Sequence, residues 1–308
     1  MKDTDALKGL TQTIIEACKF RAPSLIVTLL GDFMAPHGGS FWMGSLIELM
    51  APLGINERLV RTATFRLTKE GWLNSKQVGR KSYYTLTKSS VKSFEEAFRR
   101  VYTIPDAPWS GDWCLVFVNG ADITQTLRDK LRAELFWLGF GMVSPNVFAH
   151  PTAEMPVVRD HLKSLGLVDK ATLMRARIDE LNEEESTGQF IRKCWDIEKL
   201  SADYTTFLDR FRPLWRMLHE KPPSPDLCFI IRLLVIHEYR RLTLRDPQLP
   251  TELLAPDWAG SAARILCRNL YRLVQAGAEE YLLAHTETAD GPLPAAAPPY
   301  YRRFGGLN

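Results

Sequence analysis

Three shortages bound the reading of this 308-residue sequence. Cysteine is scarce: Cys18, Cys114, Cys194, Cys228 and Cys267 are an odd number, far apart and without a C-x-x-C pair. Such a set excludes a disulfide framework and a zinc site, and fits reduced thiols in a cytoplasmic protein. Long apolar runs are missing as well. The most apolar stretch, 228–236, is interrupted by Arg232 and falls far short of the ~18 residues that a membrane helix needs. Asp3 and Asp5 stand where a secretory leader carries positive charge. Enzyme signatures are the third shortage. His237-Glu238 resembles the start of a zinc-protease motif, but Arg241 stands where the second histidine belongs. There is no G-x-S-x-G elbow, and Gly139-Phe140-Gly141 continues as Met142-Val143-Ser144, which breaks the three-glycine dinucleotide pattern. The glycine pair in 37–40 has no phosphate-loop context. A metal-dependent nuclease using Asp112 or Asp122 remains as an alternative; it needs several converging oxygen ligands, and Asp122 is better read as a helix cap. The sequence thus offers no catalytic residue, metal ligand or cofactor motif.

What is present is a stretch, 56–86, that reads as a helix followed by a two-stranded wing. Asn56 is an N-cap residue, Glu57 suits the first turn, and Val60, Ala63 and Leu67 make one apolar stripe ending at Gly71. The opposite face carries Arg58, Arg61, Thr62, Phe65 and Lys69, with Arg66 beside them. After Trp72 and Leu73 the period changes; a polar tip holding Gly79 separates two short strands, the second with Tyr83, Tyr84 and Leu86. Arg can bond bidentately to guanine edges and Thr can bond or pack on bases, which suits a helix reading the major groove. Arg80 and Lys81 at the wing tip would hold flanking phosphates. A solvated basic helix beside an ordinary hairpin is the plain alternative, as is a winged helix that binds another protein.

The formal charge of +3 is unevenly spread. Up to Tyr102, fifteen basic residues face nine acidic ones, which leaves +6 there and −3 on the rest. The polyanion-binding end is therefore the first.

Residues 1–20 read as a partly ordered leader. Pro23 with Leu25, Ile26, Leu29, Leu30 and Phe33 suggests a first helix, and the run from Trp42 to Met50 a second, so that 21–88 form a winged helix-turn-helix domain. A charged connecting helix and linker, 89–108, carries Val91, Phe94, Phe98 and Val101 on one face and ends near Pro105 and Pro108. In 109–183 the order is an apolar strand at Trp113–Val118 closed by Gly120, a helix to Leu138, a strand region interrupted by Pro145, a helix and a strand. That β-α-β-β-α-β order suggests a ferredoxin-like domain. The tract Glu183-Glu184-Glu185 ends it. Residues 189–308 read as mainly helical, over 190–200, 204–219, 227–243 and 258–283, with proline loops from Pro222 and Pro247. A Pro/Ala-rich extended tail then delivers Tyr300-Tyr301-Arg302-Arg303-Phe304-Gly305-Gly306, an aromatic and basic cluster that suggests docking. The fold class is multidomain α+β.

Several local sequences carry a resemblance. They are Gly31-Asp32 with Gly38-Gly39, the run 42–53, ERLVRTATFRLTKEGWL, GRKSYYTLT, FWLGFG, FRPLW, IHEYRRLTLRDPQLPTELLAPDWAG and the terminal YYRRFGGL. Over essentially its whole length the chain resembles the PaaX family of bacterial phenylacetic-acid catabolism repressors. The resemblance implies a GntR-like winged-helix head, a central ferredoxin-like domain similar to the small CRISPR-associated nuclease fold, and a helical C-terminal domain. It also implies a cytoplasmic, nucleoid-associated homodimer that binds double-stranded operator DNA and is released by phenylacetyl-coenzyme A. An aryl-CoA effector asks for cations against its phosphates and an apolar slot for its ring. Arg212, Arg240, Arg241, Arg302 and Arg303, among Trp215, His237, Tyr239, Trp258, Tyr300 and Tyr301, are the candidates, in a cleft between the central and C-terminal domains. Taken singly, the aromatics read equally well as core and the arginines as partners of Glu238, Asp246 or Asp257.

Overall fold

The computed structural model describes residues 2–103, 108–119, 123–178, 187–218 and 223–307. Features expected at Pro105, Gly120, Asp122, the acidic tract 183–185, residue 219 and Pro222 lie outside them. The chain is a mixed helix-and-sheet protein in two compact units. One holds Met1–Ile104, Thr206–Arg240 and Ala262–Asn308, and the other Pro105–Thr205 and Arg241–Ser261. The first and last parts of the sequence therefore share one core.

In the first unit, α1 (Lys2–Cys18) buries Leu7, Thr11, Ile14 and Cys18. The leader expected there is instead a full helix, because these residues repeat at helical spacing and give it one buried stripe. α2 (Ala22–Leu29) starts with a proline in its first turn and runs directly into a five-residue π-helical turn, Leu30–Met34. The sequence reading puts Trp42 in the second helix. It lies instead in a short strand, β1 (Ser40–Trp42), whose register pairs Trp42 with Tyr83, so that α3 (Met43–Met50) begins one residue later. α4 (Glu57–Lys69) is followed by β2 (Leu73–Val78) and β3 (Lys81–Leu86), and the three strands form an antiparallel sheet in the order β1-β3-β2. Thr87 caps α5 (Lys88–Tyr102) by accepting from the Ser90 amide at 3.2 Å. The connecting helix expected here is part of the first unit's core: Val101 and Tyr102 are buried and Phe94 and Phe98 half-buried, whereas Val91 is exposed.

The second unit carries β4 (Trp113–Val118), α6 (Gln125–Trp137), β5 (Gly141–Ser144), β6 (Val147–His150), α7 (Met155–Ser164) and β7 (Ala171–Ala176). Its sheet runs β5-β6-β4-β7 with every neighbouring pair antiparallel. The side chain of Thr124 caps α6 by accepting from Leu127. Alternation along β4 sends Cys114, Val116 and Val118 into a core with Leu131, Leu135, Val158 and Leu162, while Trp113 joins Ala149, Ile191 and Leu249 in another cluster.

α8 (Thr187–Cys194) and α9 (Ile197–Leu218) differ from the helices expected over 190–200 and 204–219. The break falls at Trp195-Asp196, where the Asp196 carboxylate accepts from the Lys199 amide and starts a new helix, so Ser201 and Asp203 lie inside α9. α10 (Pro225–Thr243) and α11 (Ala259–His285) follow, then two-residue strands β8 (Glu287–Thr288) and β9 (Gly291–Pro292), and a 3-10 stretch, Pro298–Gly305. The tail docks: the Ala297 amide donates to the Pro36 carbonyl at 2.9 Å, and Tyr300, Arg303 and Phe304 are buried.

Candidate nucleic-acid interface and its buried support

α4 is anchored at its start by Asn56, whose side chain accepts from the Leu59 amide at 3.0 Å. Val60, Ala63, Thr64 and Leu67 face the core, which turns Arg58, Arg61, Thr62, Phe65, Arg66 and Lys69 outward together. Arg61 and Arg66 each pair with a glutamate one turn away, Glu57 and Glu70, both at 2.7 Å. Exposed helical pairs of this kind are worth only ~0.3–0.5 kcal/mol, so a phosphate or base edge can take either guanidinium. Thr62 donates its hydroxyl to the Arg58 carbonyl, and Lys69 stands 5.4 Å from the ring of Phe65, which is 63% exposed.

The hairpin beside this helix turns at Gly79-Arg80, with Gly79 at φ 59 and Arg80 exposed at the tip. Lys81, expected to hold a phosphate, is paired within the chain. Its Nζ lies 2.6 and 2.8 Å from the two carboxylate oxygens of Glu287 and 4.4 Å from the centre of the Trp42 ring. Its charge is thus already matched within the chain, and Lys76 and Arg80 are hairpin cations turned to solvent.

The first unit also holds a polar cluster that sequence reasoning missed. Asp32, on the π-helical turn after α2, accepts from Arg232 Nε at 2.9 Å and Arg303 Nη1 at 2.8 Å. The Tyr102 and Tyr271 hydroxyls donate to the same carboxylate. Its backbone carbonyl accepts from both arginines too, at 3.1 and 2.9 Å. Arg232 continues to Glu279 at 2.6 Å, and Tyr300 donates to Glu279 at 2.7 Å. Both guanidiniums are fully buried. Two of the Arg303 nitrogens, Nε and Nη2, have no hydrogen-bond partner among the described residues; the guanidinium lies instead 4.5–4.7 Å from the rings of Tyr102, Tyr300 and Phe98. Burial alone would raise the Glu279 carboxyl, but a hydrogen bond from His37 and the Arg232 charge outweigh it and hold its pKa at about 2. The one local signal in the sequence was Arg232 inside an apolar run, since a charge in such a place requires a partner.

The residues expected to hold an effector separate. His237 is buried with Nδ1 2.8 Å from the Thr28 hydroxyl, Tyr239 is buried against Phe207, and Arg303 belongs to the cluster above. All three lie in the core rather than on a cavity wall, held by packing or by the Asp32 charge. Arg240 borders a cavity of ≈ 30 Å³ beside Asp32 and Tyr102, the scale of one water rather than a ring. Arg212 and Arg302 are exposed and Trp215 half-buried in the first unit. Arg241 is exposed in the second unit, where Trp258 lines a larger cavity of ≈ 610 Å³ together with Trp109, Ile191 and Leu253. Arg192 is the cation of that lining, against Glu198, Glu252 and Asp257.

Asp112, considered as a nuclease ligand, is taken by Arg177 at 2.7 Å, whose hydrogen bond holds the carboxyl below its ordinary range. Among the described residues, no three His, Cys, Asp or Glu side chains gather as a metal site, and no helix is long and apolar enough to cross a membrane.

Three family models match successive parts of the sequence. Residues 21–90 match the family model for PaaX-like protein, residues 106–187 that for the PaaX protein central Cas2-like domain, and residues 195–284 that for the PaaX-like protein C-terminal domain. The chain is 38% identical over 299 residues to the transcriptional repressor PaaX of Escherichia coli (strain K12), covering 96% of this chain and 94% of that one. Among solved structures it is similar to the uncharacterized protein Rv0674 from Mycobacterium tuberculosis, with a TM-score of 0.50 and 21% identity over 77% of this chain and 89% of the other.

Proposed function

Because the chain belongs to the PaaX family, we propose that it is a transcriptional repressor of a phenylacetate catabolic operon, binding its operator through α4 and the β2–β3 hairpin. The observation that carries this reading is the outward stripe of Arg58, Arg61, Thr62, Phe65, Arg66 and Lys69 on a helix whose other face is buried. In this reading α2, α3 and α4 with the hairpin make the winged helix-turn-helix of residues 21–88. Arg58 and Arg61 reach base edges, and Arg80 holds the flanking backbone. Residues 109–183 form a ferredoxin-like domain, a reading supported by the β5-β6-β4-β7 order of its sheet. Residues 189–308 carry regulation. The protein acts as a homodimer on a near-palindromic site in the cytoplasm, and occupying a promoter needs no chemistry.

Release is proposed to follow binding of phenylacetyl-coenzyme A or a related aryl-CoA thioester. The ≈ 610 Å³ cavity of the second unit is of the size that takes an aryl group, and Trp109 and Trp258 supply apolar walls. Its acidic balance would keep the coenzyme's phosphates outside, against exposed cations such as Arg241. By linkage, a ligand favouring the DNA-free geometry weakens operator binding by the same factor by which DNA weakens ligand binding.

A gel-shift titration on the promoter beside the gene tests the reading, with phenylacetyl-coenzyme A and free phenylacetate added separately. A specific complex lost only with the thioester supports it. A complex indifferent to the thioester removes the effector, and no specific complex removes the repressor.

A further inference from the structure

The Lys81–Glu287 pair differs from the other interactions that hold the C-terminal tail. Arg303 is fully buried and joined to Asp32, whereas the Lys81 and Glu287 side chains are 44% and 38% exposed. Lys81 Nζ reaches both carboxylate oxygens, at 2.8 and 2.6 Å, and the Tyr83 hydroxyl donates to one of them at 2.7 Å. Two donors at alternate positions of β3, and so on one face of the strand, thus hold one oxyanion at the solvent edge of the hairpin whose tip is Arg80. An exposed pair adds little net stability, so its geometry is poorly explained as a staple.

Glu287 is presented rather than free. It sits on the short β8–β9 strap, where its amide donates to the buried Ser45 hydroxyl at 3.0 Å. The strap turns tightly, with the Thr288 hydroxyl donating to the Gly291 carbonyl at 2.9 Å and accepting from the Asp290 amide. Beyond it the chain is anchored by Ala297 and Arg303. A carboxylate built into such a strap is an anion held against the hairpin by the fold.

We infer that Lys81 and Tyr83 form an anion site suited to a DNA phosphodiester, and that the chain's own Glu287 occupies this site and competes with the DNA backbone for it. The inference rests on the DNA-binding reading of α4 and the hairpin. While Glu287 is seated, Lys81 condenses no counterion and adds nothing to the salt-dependent part of binding. When the carboxylate is removed or the strap shifts, one phosphate contact is gained on each hairpin. The C-terminal segment thereby sets how firmly the protein holds any duplex, independently of what α4 reads.

Fluorescence anisotropy on the full chain tests this, with an operator duplex and an unrelated duplex at several salt concentrations. Glu287→Gln is expected to bind both duplexes more tightly by a similar factor, roughly fivefold to tenfold per contact at ~0.1 M salt, with a log–log salt slope steeper by ~0.9 per contact. Lys81→Met in the Glu287→Gln background is expected to abolish the gain, and a melting curve verifies the fold of each variant. Should Glu287→Gln be poorly folded, Ser45→Ala loosens the strap and is expected to show a smaller gain of the same kind. Wild-type or weaker affinity of folded Glu287→Gln, with operator binding by the wild type intact, overturns the inference alone. Absence of duplex binding by the wild type overturns the DNA-binding reading and this inference with it.

Discussion

The substitution Asp32→Asn removes a charge and almost no volume, which makes it a sharp probe of the buried cluster. The carboxylate accepts from Arg232 Nε at 2.9 Å, Arg303 Nη1 at 2.8 Å and Tyr271 at 3.2 Å, and also from Tyr102. With asparagine in its place, the fully buried Arg232 keeps its pair with Glu279, while the fully buried Arg303 loses the carboxylate it is bonded to. Breaking a buried pair by removing one partner costs about 3–5 kcal/mol. Two pairs share this carboxylate and are not additive, so the expected loss is about 4 kcal/mol against a total of the order of 5–15 kcal/mol. At ~2–4 °C per kcal/mol, the melting temperature of the first unit falls by roughly 8–16 °C. Differential scanning calorimetry and thermal circular dichroism read this directly. Adding Arg303→Met to Asp32→Asn removes the stranded cation, and the double variant is expected to lie above the sum of the two single losses. A melting temperature for Asp32→Asn within about 2 °C of wild type would refute the assignment of these charges as a mutually dependent set.

Two further expectations concern titration and reactivity. Glu279 titrates at about 2 in the fold against an ordinary 4.5, so its contribution is fully present above pH 4.5 and is lost as pH falls toward 2. The linkage amounts to about 3 kcal/mol, and Glu279→Gln should flatten the acid limb of a melting-temperature profile between pH 5 and 2; an unchanged limb contradicts the assignment. Burial pushes the Cys228 and Cys194 thiols up to about 11 and raises that of Cys267 well above its ordinary range. At pH 8 a disulfide reagent should therefore titrate Cys228 and Cys267 only on denaturation, and rapid native reaction of either argues against its burial.

The parts legible in the sequence are those set by neighbours. Asn56, the Val60–Ala63–Leu67 spacing and Gly79 define α4 and its hairpin locally, and the apolar run at Trp113–Val118 coincides with β4. The parts that escaped depend on distant partners. Asp32, Arg232 and Arg303 come from three remote stretches, and nothing near Asp32 or Arg303 distinguishes a buried ion from a solvated one. Lys81 reads as a free wing cation until Glu287, from beyond α11, is seen against it. β1 is too short to show a period, and Trp42 joins it through pairing with β3. At the start of α9, the local cap at Asp196 overrode a pattern that placed the break among Ser201–Asp203.

The most direct test of the account is operator binding by Arg61→Ala, measured by anisotropy beside an unrelated duplex at fixed salt. Arg61 is exposed on α4 with only a weak pair to Glu57, so the fold should be untouched. A base-reading arginine is worth about 1–3 kcal/mol, so operator affinity should fall roughly fivefold to more than a hundredfold while non-specific affinity falls much less. Operator binding and discrimination at the wild-type level would contradict the claim that α4 reads the DNA.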